Sequence, residues 1–171
     1  INFKPSIVEK TGGKSRMIPI EEKAAAIIQK CTTIELTSIT EDGYPRIFFM
    51  NIAASQGAER IFFTTGTKTH KVAQFKKDPK SGIACSNGHD VITMTGTIKI
   101  VEDQAVRKSL WKDFYKGFFP GGPEDSGYCV LQFDALEAAF WIDEEYTKCR
   151  YTAKGIEVLQ HFCQGCGIPR P

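Results

Sequence analysis

The sequence has no apolar run approaching the ~20 residues of a membrane-spanning helix. Its opening stretch, INFKPSIVEKTGG, lacks the apolar core of a secretory leader. No membrane partner is expected, and the expected location is the cytoplasm. Charge of one sign is equally scarce. The 22 Lys and Arg against 20 Asp and Glu leave +2, which gives no electrostatic footprint for nucleic acid. No internal repeat and no low-complexity segment is present. Without a secretion signal, the six cysteines are not expected to build a disulfide framework.

A second metal knuckle is missing too. Cys163 and Cys166 form a CxxC, with His161 and Cys149 upstream, but a ribbon-type zinc site needs another pair. These four are the metal candidates, and the expectation is no metal. A redox dithiol stands beside that reading. Residues 144–171 are expected to be an appendage of a single domain spanning 1–171. Cys31, Cys85 and Cys129 lie in apolar or strand-like surroundings and read as small core residues.

What is present is enough for a sizeable core: 171 residues, 42% hydrophobic. Ile1 to Arg16 reads as an arm that wraps a partner or stays mobile. Acidic Glu21 and Glu22, an Ala/Ile stripe and a final lysine predict a helix from Ile20 to Lys30. Glu41-Asp42-Gly43 between β-prone runs predicts a hairpin. Its second strand, YPRIFFMNIAA, is apolar on both faces around Ile47 to Met50 and reads as central. Strands follow at Arg60–Thr65, Ser81–Ser86 and Val91–Val101, where Gly96 marks a bulge or bend. A helix is expected from Lys71 to Lys77 and another from Glu102 to about Tyr115, then two strands, YCVLQFDA and LEAAFWID. Strands joined by hairpins outnumber about three helices. The expected fold is therefore mainly β, an antiparallel barrel of six to seven strands with flanking helices.

One stretch carries chemistry. Between the strand from Arg60 and the helix from Lys71 lies a turn of Thr64, Thr65, Gly66, Thr67, Lys68, Thr69 and His70. Hydroxyls and cations precede a helix start, where backbone N–H groups are unpaired and carry partial positive charge. That pattern suits a phosphate. A solvated loop with a Thr cap fits the local pattern as well.

Four pieces in this order resemble one family. They are DGYPRIFFMN, FFTTGTKTHKVAQFKKDP, VITMTGTIKIVED followed by Leu110-Trp111, and a last strand with Phe140-Trp141. Together they are similar to the pyridoxamine 5′-phosphate oxidase-like, FMN-binding split-barrel proteins, in the branch often called general stress protein 26-like. The resemblance implies an FMN-type split barrel with flavin between the subunits of a homodimer. It implies cofactor contacts at Arg46, Ile47, Phe48 and Asn51, and at Phe63, Thr64 and Thr65. It adds Thr69, His70 and Lys71 at the helix start, and Trp141 at the flavin slot. Arg46 and Lys71 would supply charge to the phosphate, and Thr64, Thr65, Thr67 and Thr69 would supply hydroxyls. His70 replaces a common arginine and, when neutral, donates one hydrogen bond only.

The departures bear on substrate. In pyridoxamine phosphate oxidases, two arginines flanking a histidine follow the C-terminal tryptophan. Here Trp141 is followed by Ile142-Asp143-Glu144-Glu145-Tyr146, with no arginine before Arg150. The resemblance thus implies an FMN-dependent oxidoreductase with another small-molecule substrate or electron donor. The alternative is a non-catalytic binder of flavin, haem or deazaflavin with a stress role. No catalytic side chain stands out.

Overall fold

Alternating burial along short strands is what builds this protein. In a computed structural model, residues 19–163 are described; the expected N-terminal arm lies outside them. The elements are α1 (Ile20–Lys30), β1 (Thr33–Ile39), β2 (Pro45–Gln56), β3 (Arg60–Gly66), α2 (His70–Lys77), β4 (Lys80–Asn87), β5 (Asp90–Val101), α3 (Gln104–Ser109), β6 (Tyr128–Ile142), β7 (Glu145–Thr152) and β8 (Gly155–Cys163). All pairings are antiparallel. The order is β3-β2-β1-β4-β5-β6-β7-β8, and β3 also pairs with β6. That extra pairing closes six strands into a barrel, and β7 and β8 extend the sheet beyond it.

The hairpin at Asp42-Gly43 forms as expected, with Gly43 at φ +83°. Gly96 sits at a bulge. Gly96 faces Ala135 and Thr95 faces Glu137, so Leu136 is the extra residue on β6. A Cβ on Gly96 would lie 2.2 Å from the Asp134 carbonyl oxygen and 2.7 Å from the Phe133 ring. The two backbones approach too closely for any side chain.

The core fills the barrel with Ile34, Leu36, Ile61, Phe63, Phe133 and Phe140, among others. A second cluster outside it joins Phe62, Leu110, Tyr115, Tyr128 and Val130. α2 buries Val72 and Phe75. The buried Ser38 hydroxyl of β1 donates to the Gln74 side-chain oxygen at 2.6 Å and pins that helix to the barrel.

Three expectations are corrected. The helix expected to reach Tyr115 ends at Ser109, Lys112 is extended, and a 3-10 turn covers Asp113–Gly117. Trp111 packs edge-on to Tyr115 and Tyr128, at centroid distances of 5.7 and 5.1 Å. A straight helix would leave neighbouring Leu110 and Trp111 on diverging directions. The two last expected strands are one, β6, because the chain bends at Leu136 and changes partner from β3 to β7 without breaking. β2 is central as expected, between β3 and β1, but its second face is not covered: Ile47 and Phe49 are exposed.

Residues 145–163 form the β7–β8 hairpin. Its entry turn, Asp143-Glu144, has φ +53° and +62° without a glycine, so the usual turn signal is missing. Lys23 holds the Asp143 carboxylate at 2.6 Å.

Gly96→Ala should destabilise the protein by about 2–4 kcal/mol, since backbone must move to make room. Urea unfolding measures this, and a loss below about 0.5 kcal/mol, the level of an ordinary surface change, would refute the close-approach account.

Candidate functional site

β2 sends alternate side chains to opposite faces. Met50 points into the core, Phe48 packs against the core's edge, and Arg46 continues that row outward. The Arg46 guanidinium carbon lies 5.7 Å from the Phe48 ring centroid. Lys71 Nζ, from the first turn of α2, lies 4.9 Å from the same centroid. One aromatic ring thus gathers two cations that are distant in sequence. No carboxylate among the described residues forms an ion pair with either. Burial pushes the Lys71 ammonium below its ordinary pKa. A half-buried cation without a counter-charge is a site that gains from binding an anion.

The turn between β3 and α2 is held from behind. Thr67 N–H donates to the Gly127 carbonyl at 2.9 Å, and its hydroxyl donates to the Ser126 carbonyl at 3.0 Å. Segment 121–127 is itself folded around Asp125. That carboxylate accepts from the N–H groups of Gly127 (2.7 Å) and Gly121 (2.8 Å), which hold its pKa below the usual range. The Arg107 guanidinium donates to the carbonyls of Pro123 and Asp125 at 3.3 and 3.1 Å. The Thr69 hydroxyl donates to the Gly66 carbonyl at 2.9 Å. In this ligand-free chain Thr67 and Thr69 therefore spend their hydroxyl hydrogens on shaping the turn.

Beside Lys71 opens a cleft of about 700 Å³. Asn51, Thr64, Thr65 and Lys71 line it together with Phe49, Met50, Ile52, Cys31 and Thr32. Its far wall is Lys112, Phe114, Tyr115, Phe118 and Phe119. This volume suits a cofactor-sized molecule. Aromatic walls, hydroxyl and amide side chains and the Lys71 cation fit a planar ring system with a phosphate tail, and Arg46 stands outside the lining over the same Phe48 ring as Lys71. FMN has that form, and the residues present fit it: Lys71 and Arg46 would hold the phosphate, Thr64, Thr65 and Asn51 would meet the polar edge, and Phe49 and Phe118 would flank the ring.

Not every expected residue reaches the cleft: Arg46, Phe48 and Thr69 are not among its lining residues. Phe63 is wholly buried in the main core. His70 lines a separate groove with Glu41, Ala73, Gln74 and Lys77. Ile47 is on the exposed outer face of β2. Trp141 packs near Tyr146, at 6.5 Å between centroids. It lies some 11 residues along β6 from Val130, the partner of Thr64, or about 35 Å of strand contour.

Cys149 is buried in the main core, whereas His161 is exposed on β8 and shares a hydrogen bond with the Thr147 hydroxyl at 2.8 Å. The structure keeps these two metal candidates apart. The Cys163 side chain and Cys166 lie outside the described residues. Sequence reasoning missed Cys31, which is half-exposed on the cleft rather than core, and the whole 112–119 wall. An aromatic run broken by glycine, FYKGFFP, was the available signal.

The model of the family described as "Pyridoxamine 5′-phosphate oxidase like" matches residues 21–160. The chain belongs to this family. Its fold is similar to that of a protein related to general stress protein 26 from Clostridium acetobutylicum, with TM-score 0.65 and 23% identity over 75% of this chain and 92% of that one. General stress protein 26 from Bacillus anthracis gives TM-score 0.62 and 21% identity over 72% and 94%. A pyridoxamine 5′-phosphate oxidase-related, FMN-binding protein from Nostoc punctiforme gives TM-score 0.65 and 15% identity over 81% and 93%. No curated protein matches the chain. No helix among the described residues is long and apolar enough to cross a membrane.

Beneath the aromatic wall, burial pushes the Tyr128 phenol up to about 12 from 10. A raised pKa in the folded state means stability that is intact below pH 10 and is lost as pH rises toward 12. Chemical unfolding followed across that window should show the decline, and Tyr128→Phe should make it shallower, the buried Cys85, Cys149 and Tyr151 side chains, also shifted up, supplying the rest.

Proposed function

We propose that this chain is a cytoplasmic, homodimeric flavoprotein that holds FMN in the cleft beside Lys71 and exchanges electrons with a small molecule. The observation that carries the reading is the pairing of Arg46 and Lys71 over Phe48 without a carboxylate partner among the described residues. Bound FMN would supply hydride or electron transfer. The chain's own share is to neutralise the phosphate with Lys71 and Arg46, to seat the polar edge on Thr64, Thr65 and Asn51, and to exclude water with Phe49, Phe114 and Phe118.

The lining contains no carboxylate and no imidazole among the described residues. Flavin chemistry can accept a hydride without a side-chain base, so this lining is compatible with oxidation–reduction. It equally favours a second reading, a flavin carrier without turnover. Consumption of NAD(P)H with a small electron acceptor separates the two. Pyridoxamine phosphate is a poor candidate substrate. Arg150, the first arginine after Trp141, is occupied by Glu137 at 2.8 Å.

A homodimer is supported by exposed apolar area: Phe49 is 74% and Phe118 75% exposed, with Ile47 and Phe114 close behind. In such a dimer Trp141, which does not line the cleft of its own chain, would serve that of the other subunit. Phe49→Glu should shift the mass in light scattering from dimer to monomer. A wild-type monomer would overturn this part of the reading.

The cofactor assignment is tested by titrating ligand-free protein with FMN and, separately, riboflavin. Lys71→Ala should weaken FMN by about 10–100-fold, the worth of one charge-assisted contact. Riboflavin, which lacks the phosphate, should bind both forms alike. Equal FMN affinity in the two proteins would overturn the phosphate site.

A further inference from the structure

We propose that Cys31 and Cys85 are a redox-active thiol pair at the cleft wall, which reduces a hydroperoxide and closes to a disulfide. Cys31 is the residue that ends α1. Its N–H closes the helix onto the carbonyls of Ile27 and Ile28, both at 3.1 Å, and its backbone turns extended there. The residue is half-exposed and lines the cleft. The same sulfur lies 3.6 Å from the Ser86 carbonyl oxygen, one residue from Cys85 on β4. Cys85 is 4% exposed within the main core, against which Cys31 packs. Both thiols are free.

The two positions are unequal, and that inequality assigns the roles. Cys31 can be reached from the cleft by a small oxidant. Cys85 cannot, and burial, reinforced by the adjacent Cys31 thiol, pushes its thiol up to about 12. Cys31 is therefore the attacking sulfur and Cys85 the resolving one. The Cys31 thiolate attacks one peroxide oxygen. An S–O bond forms, the O–O bond breaks, and the leaving oxygen takes up a proton as alcohol or water. Cys31 is then a sulfenic acid. The Cys85 sulfur attacks the Cys31 sulfur, an S–S bond forms, the S–O bond breaks, and hydroxide leaves with the Cys85 proton as water. Two thiols lose two electrons and the hydroperoxide gains them. A small-molecule thiol returns the pair by exchange. Nothing in this step requires flavin, so it stands apart from the cofactor reading.

The test uses the full chain as purified and reduced, treated with equimolar hydrogen peroxide. Free thiols are then blocked, the protein is digested, and the peptides are mapped by mass spectrometry. A peptide cross-linked through Cys31 and Cys85, removed by dithiothreitol, is the expected product. Cys85→Ala should lose the cross-link and leave Cys31 as a sulfenic acid that dimedone traps. If that core variant does not fold, Cys31→Ser provides the control and should leave Cys85 reduced. Two results overturn the proposal: oxidation confined to other cysteines such as Cys163 and Cys166, or wild-type Cys31 remaining a dimedone-trapped sulfenic acid while Cys85 stays a free thiol.

Discussion

The pairing of β3 with β6 governs the rest of the molecule. Its register runs from Arg60↔Asp134 to Gly66↔Tyr128. β6 pairs along most of its length with β5 as well, so it must bend where it leaves β3 for β7. That bend brings the Asp134 carbonyl onto Gly96, and no other residue type fits there. At one end of the β3–β6 ladder, Asp134 is held by Arg60 at 2.6 Å and by Lys99 at 3.2 Å. At the other end the ladder stops at Gly66, and the turn to α2 begins at once. The position of Lys71 is therefore a consequence of barrel closure. It is fixed by a strand that is more than fifty residues away in sequence.

Closure places the cation, and packing makes it reactive toward anions. Lys71 loses water to Phe48 and the cleft wall but gains no carboxylate among the described residues, so its charge is held at some cost. Evolution of a merely structural lysine would sooner supply a partner or leave the side chain in water. The threonines divide the labour. Thr67 and Thr69 hold the turn through carbonyls of residues 126 and 66, while Thr64 and Thr65 face the cleft. A composition rich in hydroxyls thus contains two kinds, and only hydrogen-bond geometry separates them.

Much of this was legible in advance. The α1 boundaries, the Asp-Gly hairpin and the Gly96 irregularity follow from local chemistry, which turn and cap residues announce directly. The antiparallel barrel followed from hairpin-sized connections. Most of the failures share a cause, contacts between residues far apart, and one is a local turn without its usual residues. Leu110 and Trp111 look like one helical stripe until Tyr128 claims the indole. Asp134-Ala135-Leu136 looks like a turn until β5 and Glu59 satisfy it within a continuous strand. Asp143-Glu144 makes a tight turn through left-handed backbone in residues that rarely signal it. In the site, Arg46 and Lys71 were paired in advance only through family resemblance. The 112–119 wall was invisible because its aromatics imitate core residues, and Cys31 was misread for the same reason.

That wall has a thermodynamic consequence for the proposed dimer. Phe49, Phe114 and Phe118 belong both to the cleft and to the exposed apolar face. A partner covering that face removes water from the cleft at the same time. Coulomb attraction between Lys71 and a bound phosphate strengthens as the local dielectric falls. Aromatic packing on the ligand's ring in turn adds buried area to the subunit contact. Each event makes the other more favourable, and linkage requires the two effects to be equal in free energy. On this reading cofactor binding and dimer formation are one coupled equilibrium, and the cation without a carboxylate partner among the described residues is half of a site that the second subunit and the anion complete together.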